Sequence, residues 1–287
     1  MKSEIDYAVY FKENIYFWLK VLFSVLLYPT IVLILIGLFD SEDVGKVAYS
    51  LTFCTYLFII FVFIFIKHGI LIGYIKGNAV KVSHTQFPDI FEIVEHQSKS
   101  LGLKTAPKVF ILQSGGVLNA FATSFMFKKY VVLYSDIVDA AYDNDTNVLE
   151  FIIGHELGHI KRNHILKRML LFPSAIIPFL EFAYYRACEY TCDDIGNSLN
   201  PKGTVNGLLI LAAGRNLYKH VNTKEFVYQD KSEYSFWKWF AEKVTSHPTL
   251  SKRIGMFKDS LSQPKPVYEQ KVYETPVEEH SKYMPKF

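Results

Sequence analysis

Residues 155–159 read His-Glu-Leu-Gly-His, an H-E-x-x-H pattern in a segment predicted to be helical. Four residues turn an α-helix by about 400°, so His155 and His159 project from one face, one turn apart, as two ligands of a tetrahedral Zn²⁺ require. Glu156 flanks that position and can take a proton from a zinc-bound water, whose pKa the metal lowers to about 7. The pentapeptide also recurs by chance in helices whose histidines are merely hydrogen-bonded. A third ligand decides between the two interpretations.

Three side chains are candidates for this third ligand: His164, Glu181 and Glu189. His164 lies five residues past the second motif histidine, about 140° further round a continuous helix, and is excluded from that face. Glu181 lies in a turn region before the next helix. Residues 186–193, RACEYTCD, predict a helix with Glu189 and Asp193 on one face. Glu189 then completes a His₂Glu set that leaves the fourth position open, as catalytic zinc requires, while Asp193 can hold a ligand imidazole by its other N–H.

Two uncharged apolar runs, Val21 to Phe39 and Val47 to Ile66, precede this segment. Each is long enough to cross a hydrocarbon core of about 30 Å as a helix. Buried helices of a soluble core seldom stay apolar all round over this length, and a cleavable signal peptide would not be followed at once by a second span. We therefore predict a transmembrane hairpin with helices at about 17–39 and 47–66.

The charges around this hairpin predict its orientation. The connection 40–46 is net acidic, whereas lysines precede the first run and follow the second: Lys2, Lys12, Lys20, Lys67, Lys76 and Lys81. By the positive-inside bias, the connection faces out and the rest of the chain is cytoplasmic. The expected location is the cell (inner) membrane, multi-pass, with the lipid bilayer as a partner and the catalytic domain in the cytoplasm.

Composition excludes some classes of function. Half of the 287 residues are apolar and the net charge is only +3. Without a basic stripe carrying interleaved aromatic residues, nucleic acid is not expected as a partner. The three cysteines, Cys54, Cys188 and Cys192, form no disulfide framework, which favours a reducing compartment. Cys188 and Cys192 are interpreted as small buried helix residues rather than as metal ligands.

The residues after the hairpin predict helices around a small sheet. A helix is expected between Pro88 and Gly102, and another through the H-E-x-x-H motif, with N-cap candidates at 143–146. From Gly203 the pattern is helical with a break at 220–230. The predicted strands are Val109 to Leu112, Ala120 to Phe127 and Tyr130 to Tyr134, with a hairpin turn at Lys128-Lys129.

The expected fold class is mainly α with a small β-sheet (α+β), and three regions are predicted. They are an N-terminal segment, 1–76, with the two transmembrane helices; a zinc metallopeptidase domain, 77–262; and a C-terminal tail, 263–287, that is extended. Met169 to Leu180 is apolar but too short to span, and we interpret it as a turn between helices. Whether residues 169–183 contact the bilayer stays open.

The motifs together resemble metallopeptidase family 48, which includes HtpX-like membrane proteases and the CAAX prenyl proteases. HELGHI is followed by R-x-x-E-Y-x-x-D at 186–193, preceded by N-A-F-A at 119–122, and followed by H-P-x-x-x-x-R-I at 247–254. The resemblance covers Leu101 to Ile254. It implies a mostly helical gluzincin domain with a small sheet beside the active-site helix, and cleavage of membrane or misfolded proteins in quality control.

The resemblance also implies roles near the substrate. Asn119, Ala120, Phe121 and Ala122 are expected to bind substrate, pairing a protein or peptide as an added β-strand if their strand lies at the sheet edge. His247 is expected to be catalytic, as a donor to the oxyanion, with Arg253 positioning it or pairing with Asp193. HtpX-like members carry further transmembrane helices between the two zinc helices, whereas here thirty residues separate His159 from Glu189. This difference weakens the transfer of substrate identity from the family, particularly of prenylated C-termini.

The predicted function is a membrane-anchored zinc endopeptidase with one Zn²⁺ per chain. Two alternatives are kept: a non-catalytic membrane scaffold or chaperone with a structural zinc, and a CAAX prenyl protease. An intact Glu156 speaks against the scaffold, because structural zinc needs no base. A lipid-sized apolar chamber would favour the prenyl protease. Natural substrate, cleavage preference, stress regulation and oligomeric state are not predicted.

Overall fold

A computed structural model of the chain describes residues 5–40, 42–113 and 115–257. The described chain is mostly helical and contains one four-stranded mixed sheet. The helices are α1 (Phe11–Phe39), α2 (Val44–Asn78), α3 (Pro88–Ser100), α4 (Ser135–Asn144), α5 (Thr146–Lys161), α6 (His164–Leu170), α7 (Leu180–Leu199), α8 (Pro201–Leu217), α9 (Thr223–Ser232), α10 (Phe236–Val244) and α11 (Leu250–Gly255). The strands are β1 (Val80–Lys81), β2 (Lys108–Leu112), β3 (Ala120–Phe125) and β4 (Lys128–Tyr134), and short 3₁₀ helices cover Phe172–Ile176 and Tyr218–His220.

Helices α1 and α2 are both long and apolar enough to cross a membrane. Only 6% of the most apolar window of each helix is buried inside the protein, so their apolar side chains face outward. Helix α2 continues beyond the predicted end at residue 66. Its last turns carry Ile72 and Ile75, which are buried against one face of the sheet on Phe110, Tyr130 and Val132. This packing extends the helix into the folded domain.

The strand order in the sheet is β1-β2-β4-β3. Strands β2 and β4 are parallel, whereas β1 pairs with β2 and β3 with β4 in antiparallel fashion. This order leaves β3 at the sheet edge. The predicted turn between β3 and β4 was misplaced: Lys128 and Lys129 begin β4, and the turn is formed by Met126 and Phe127, which adopt positive φ angles of 47° and 64°.

Helix α5, which carries the H-E-x-x-H motif, lies at the centre of the core and packs on α7 and α8. Two glycines allow the close contact with α7. A Cβ atom at Gly154 would lie 3.1 Å from Gly196 Cα, and one at Gly158 would lie 3.3 Å from Cys192 Cα. Contacts this short leave little room for a side chain. The glycine inside the motif therefore helps bring α7, with its acidic residues, against the two histidines.

Two helices differ from the sequence-based expectations. Helix α4 was not anticipated, and α9 occupies most of the break predicted at 220–230. The N-cap Asn222 accepts hydrogen bonds from the N–H groups of Lys224 and Glu225 and starts α9, whose polar sequence, TKEFVYQDKS, lacks the apolar periodicity used to recognise helices. The predicted C-terminal tail, 263–287, lies outside the described residues.

Candidate metal centre

The two motif histidines lie on the same face of α5, which begins where the Asp145 carboxylate accepts the N–H of Asn147. The Nε2 atoms of His155 and His159 are 3.3 Å apart, and both rings point into a cleft with a volume of about 340 Å³. His155 is buried and His159 is half-buried. The arrangement follows from the helical spacing, since positions four apart stack on one face.

Glu189 on α7 faces both imidazoles. Its Oε2 atom lies 3.5 Å from His155 Nε2 and its Oε1 atom lies 3.4 Å from His159 Nε2. A tetrahedral Zn²⁺ with ligands at about 2.0–2.1 Å has neighbouring donor atoms separated by roughly 3.3–3.4 Å. The 3.3 Å between the two imidazole nitrogens matches such an edge, and each imidazole nitrogen has one carboxylate oxygen of Glu189 at a similar distance. The residues present are suited to the metal that the motif implies.

The charges at this position favour a cation. Burial alone would raise the pKa of Glu189, but hydrogen bonds from His155 and His159 and the charge of Arg253 hold it well below its usual value. Burial alone would lower the pKa of His155, but its hydrogen bonds to Asp193 and Glu189 raise it to about 10. The carboxylates thus stabilise a positive charge at the imidazole, and a metal ion would take the place of the proton on Nε2.

Asp193 contacts the ring nitrogen of His155 that does not face the metal position, and Arg253 in turn binds Asp193. Asp193 Oδ1 lies 3.0 Å from His155 Nδ1, and both oxygens of Asp193 accept hydrogen bonds from Arg253, at 2.7 Å from Nε and 2.6 Å from Nη2. Arg253 Nη1 also lies 3.3 Å from Glu189 Oε2. Of the two roles considered for Arg253, the structure places it on Asp193. A carboxylate behind a ligand imidazole fixes both the tautomer and the orientation of the ring.

His159 is held by a different residue, His164. The two Nδ1 atoms are 3.0 Å apart, and His164 Nε2 lies 3.3 Å from Glu13 Oε1. Burial lowers the pKa of His164 to about 4 despite the nearby Glu13, so the ring is neutral. A neutral His164 that donates from Nε2 to Glu13 accepts from His159 at Nδ1. This tautomer leaves the Nε2 lone pair of His159 directed at the metal position.

The sequence analysis missed this contact because it extended α5 through His164. The helix ends at Lys161, and Asn163, with a φ of 53°, turns the chain before α6 starts at His164. His164 thereby returns to His159 on the side away from the other two donors. The third histidine in H-E-x-x-H-x₄-H was the available sequence signal.

Glu13 comes from α1 and is fully buried. Its Oε1 atom accepts two hydrogen bonds from Arg162, at 2.8 Å from Nη2 and 3.1 Å from Nε. The sequence signal for Glu13 was an acidic residue close to the start of the first apolar run. The first turn of a long apolar helix therefore contributes to the surroundings of His159.

Two further groups of potential metal donors share residues with the contacts among His159, His164 and Glu13. They are His159, His164 and Cys192, and Glu13, His164 and Cys188. Burial raises the pKa of both thiols well above its usual value, which disfavours the thiolate form that a metal would need. In addition, His164 and Glu13 already bond to each other. The set of His155, His159 and Glu189 is the one that fits a metal best.

The remaining predicted site residues line the same cleft: Glu156, Asn119, Ala120, Phe121, Ala122 and His247. Glu156 is buried, next to the first motif histidine on α5. His247 is 65% exposed, with Nε2 at 3.5 Å from Glu189 Oε1 and Nδ1 at 2.9 Å from Ser246 Oγ. Residues 119–122 form the opposite wall at the start of edge strand β3. The cleft thus joins an exposed strand edge to the three metal donors.

Comparison with known proteins gives matches to metallopeptidases. The model of Peptidase family M48 matches residues 84–178, which include the H-E-x-x-H motif. The chain is 26% identical over 175 residues to the plastoglobule-localized metallopeptidase 48 of Arabidopsis thaliana, covering 54% of the chain and 49% of that protein. It is 32% identical over 94 residues to protease HtpX homolog 1 of Sulfurisphaera tokodaii, covering 32% of the chain and 29% of that protein. The chain thus spans less than half the length of either relative.

Among solved structures, the crystal structure of S. mikatae Ste24p is similar with a TM-score of 0.48 and 18% identity, covering 86% of the chain and 66% of that protein. The family match and the two relatives support the resemblance. The resemblance of the chain to metallopeptidase family M48, first indicated by its motifs, is thereby confirmed.

Proposed function

We propose that the chain is a membrane-anchored zinc endopeptidase that hydrolyses peptide bonds of membrane or misfolded proteins. The observation that carries the proposal is the convergence of His155, His159 and Glu189, each with a ligand atom within 4.8 Å of the other two, on the wall of an open cleft beside Glu156. The membrane anchor rests on the two long apolar helices and on the match to an HtpX homolog.

Zn²⁺ is the metal that this donor set favours. Two imidazoles and one carboxylate, with a fourth position open to the cleft, are typical of catalytic zinc. When bound, Zn²⁺ supplies Lewis acidity toward water and a carbonyl oxygen. The buried carboxylates of Glu189 and Asp193 supply the negative charge that the ion requires, and we propose one ion per chain.

The edge of β3 offers main-chain groups to an extended peptide. Tyr134 N–H donates to Asn119 O at 3.0 Å, so in this antiparallel pair Phe121 and Thr123 also bond toward β4, while Ala120 and Ala122 face away. The N–H of Ala120 is taken by the side chain of Asn119, at 2.9 Å. The main-chain groups of Ala122 and the carbonyl of Ala120 therefore form a short edge for β-pairing with substrate.

Side chains of this chain supply the proton transfers and the charge stabilisation. Glu156 takes the proton of the attacking water and passes it to the leaving amine. His247, with Nδ1 against Ser246 Oγ and Nε2 near Glu189, donates a hydrogen bond to the developing oxyanion. Asp193 and His164 keep the two ligand rings in their orientations.

The experiment that tests the proposal uses the full chain in liposomes and a labelled unfolded protein, such as β-casein, as substrate. We expect wild type to cleave it and a chelator to stop cleavage. Glu156→Gln should retain zinc but lose about 10²–10⁴-fold in rate, because the general base is gone. Glu95→Gln, the same chemical change at an exposed position on α3, is the matched control. Chelator-insensitive cleavage, or an undiminished rate in Glu156→Gln, would overturn the proposal.

The same experiment tests the scaffold alternative. A scaffold with structural zinc would bind unfolded protein equally well with and without Glu156, would cut nothing, and would unfold when the metal is removed.

The orientation in the membrane belongs to the same proposal. Lysines flank the two apolar runs on the side of the peptidase domain, whereas the connection between the runs is acidic. We therefore place the domain in the cytoplasm. A reporter fused after Lys81 should behave as cytoplasmic, and activity there of a reporter that works only outside the cytoplasm would contradict this orientation.

A further inference from the structure

Residues 166–179, called here the apolar loop, comprise the end of α6 and the 3₁₀ helix after it, lie between α5 and α7, and expose several large apolar side chains. Six of them are between 46% and 72% exposed: Leu166, Met169, Leu170, Phe172, Ile176 and Phe179. A patch of this kind on a folded domain marks an interaction surface. Its neighbours in the fold indicate what covers it.

The apolar loop packs alongside α1 at the beginning of the uncharged run of that helix. Tyr28 OH donates to Leu170 O at 3.0 Å, and Ser24 Oγ lies 3.5 Å from Leu171 O. From Lys20, the last charge before the run, to Tyr28 the helix rises by roughly 12 Å at 1.5 Å per residue. The loop therefore reaches roughly 12 Å past the last charge of α1, well into a hydrocarbon core of about 30 Å.

The uncharged part of the loop and the uncharged run of α1 are bounded by charged residues that lie close together. Residues 169–180 carry no charge, and the flanking charges are Arg168 and Glu181. Glu181 forms an ion pair with Lys20, which is fully buried. The uncharged stretch of the loop thus ends beside the residue after which the uncharged run of α1 begins, as expected if both cross the membrane surface at that height.

Several polar main-chain groups in this zone have partners, as a bilayer favours for non-helical backbone. The 3₁₀ helix Phe172–Ile176 bonds internally, and the carbonyl of Leu171 accepts from Ser174 Oγ at 2.6 Å. Ser174 itself is fully buried. These bonds lower the number of free main-chain groups that the apolar loop presents to its surroundings.

The turn between β3 and β4 provides a second contact on the same side of the hairpin. Met126 is 67% exposed and Phe127 is fully exposed, while the adjoining Phe125 ring lies 5.3 Å from the ring of Phe65, near the end of the apolar run of α2. The main chain is fixed there as well, since His68 Nε2 lies 2.9 Å from Ser124 O. Because α1 and α2 form a hairpin, the start of the first run and the end of the second lie on the same side of the membrane.

We infer that the apolar loop inserts into the leaflet entered by α1, and that the Met126-Phe127 turn rests on the surface of the same leaflet. The partner is lipid: acyl chains around Phe172 and Ile176, and the headgroup boundary at the turn. Both α6 and β3 line the cleft. The apolar loop continues from α6, and the Met126-Phe127 turn follows β3. The cleft is then held against the membrane surface.

Collision accessibility of spin labels in proteoliposomes tests the inference. The variants Phe172→Cys and Ile176→Cys carry the spin label in a Cys54→Ser background. They are compared with Leu33→Cys on α1 and Phe61→Cys on α2. Tyr228, which is 62% exposed on α9 among Glu225, Asp230 and Glu233, is the matched exposed position. Cys188 and Cys192 are buried and should not label.

We expect labels at Phe172 and Ile176 to behave as those at Leu33 and Phe61 do, with several-fold greater accessibility to oxygen than to a water-soluble nickel chelate. The label at Tyr228 should show the reverse. An aqueous profile at both loop positions, while Leu33 and Phe61 report lipid, would overturn the inference and leave the transmembrane helices in place. Protection of both loop positions from both reagents would also overturn it, because the loop would then be covered by protein.

Discussion

The two histidines of the metal centre are supported in different ways. His155 contacts Asp193 on α7, which accepts a hydrogen bond from Arg253 on α11. Behind His159 stands His164, which is held by Glu13 from the first turn of the apolar helix α1. One support comes from α7 and α11, whereas the other comes from the long apolar helix α1. The metal centre should therefore depend on α1 although α1 supplies no ligand.

Removal of Glu189 should have the largest effect, because this side chain faces both imidazoles, at 3.5 and 3.4 Å. Glu189→Ala should contain no stoichiometric zinc after purification, since two imidazoles alone bind the ion weakly. Glu181→Ala, a matched change on the same helix, should keep its zinc, although it leaves Lys20 buried without its partner. Metal analysis decides, and stoichiometric zinc in the Glu189 variant would refute this ligand set.

Loss of Asp193 should have the next largest effect. Asp193→Ala releases His155 and leaves the buried Arg253 with Glu189 as its remaining acidic neighbour. Breaking one side of a buried ion pair costs about 3–5 kcal/mol of folding stability. We expect a large drop in the unfolding temperature together with loss of zinc, whereas Asp194→Asn at the next position should change little. Wild-type stability and zinc content in Asp193→Ala would mean that this support is dispensable.

Glu13→Gln should have a smaller effect and tests the support that comes from the membrane helix. The amide weakens the acceptor for His164, and loss of such a partner lowers metal affinity by about 10–100-fold. Folding should suffer less than in Asp193→Ala, because the Arg162 side chain is 21% exposed whereas that of Arg253 is 6% exposed. Zinc titration against a competing chelator measures the affinity, with Asp6→Asn as the control. Unchanged affinity would leave His159 independent of α1.

His247→Ala should change neither the contacts of the two ligand histidines with Asp193 and His164 nor the zinc content. His247 is largely exposed, and its Nε2 atom approaches only Glu189 among the three metal donors. As a donor to the oxyanion, it should contribute about 10²-fold or more to turnover. Zinc content and unfolding temperature should match wild type while turnover falls. Undiminished turnover with full zinc would exclude His247 from the chemistry.

The sequence predicted the parts of the site that depend on one helix at a time. His155 and His159 follow from the period of α5, and Glu189 and Asp193 from the period of α7. The contact between His159 and His164 depends on where α5 ends, which Asn163 decides through a positive φ without a glycine to indicate it.

The role of Glu13 depends on a tertiary contact with His164, which lies 151 residues further along the chain. No local sequence pattern encodes such a contact. The β3–β4 turn was misplaced for a similar reason. Met126 and Phe127 adopt positive φ angles although both are apolar, and the usual turn residues are missing there. The two apolar helices were predictable because length and composition alone identify them, whereas the continuation of α2 along the sheet comes from packing.

The central claim is that His155, His159 and Glu189 hold one zinc ion. X-ray absorption at the zinc edge of the purified full chain tests it most directly. We expect one zinc per chain with only nitrogen and oxygen neighbours at about 2.0–2.2 Å, and an imidazole signature from two histidines. A sulfur neighbour at about 2.3 Å would instead place the ion at Cys188 or Cys192 and contradict the account.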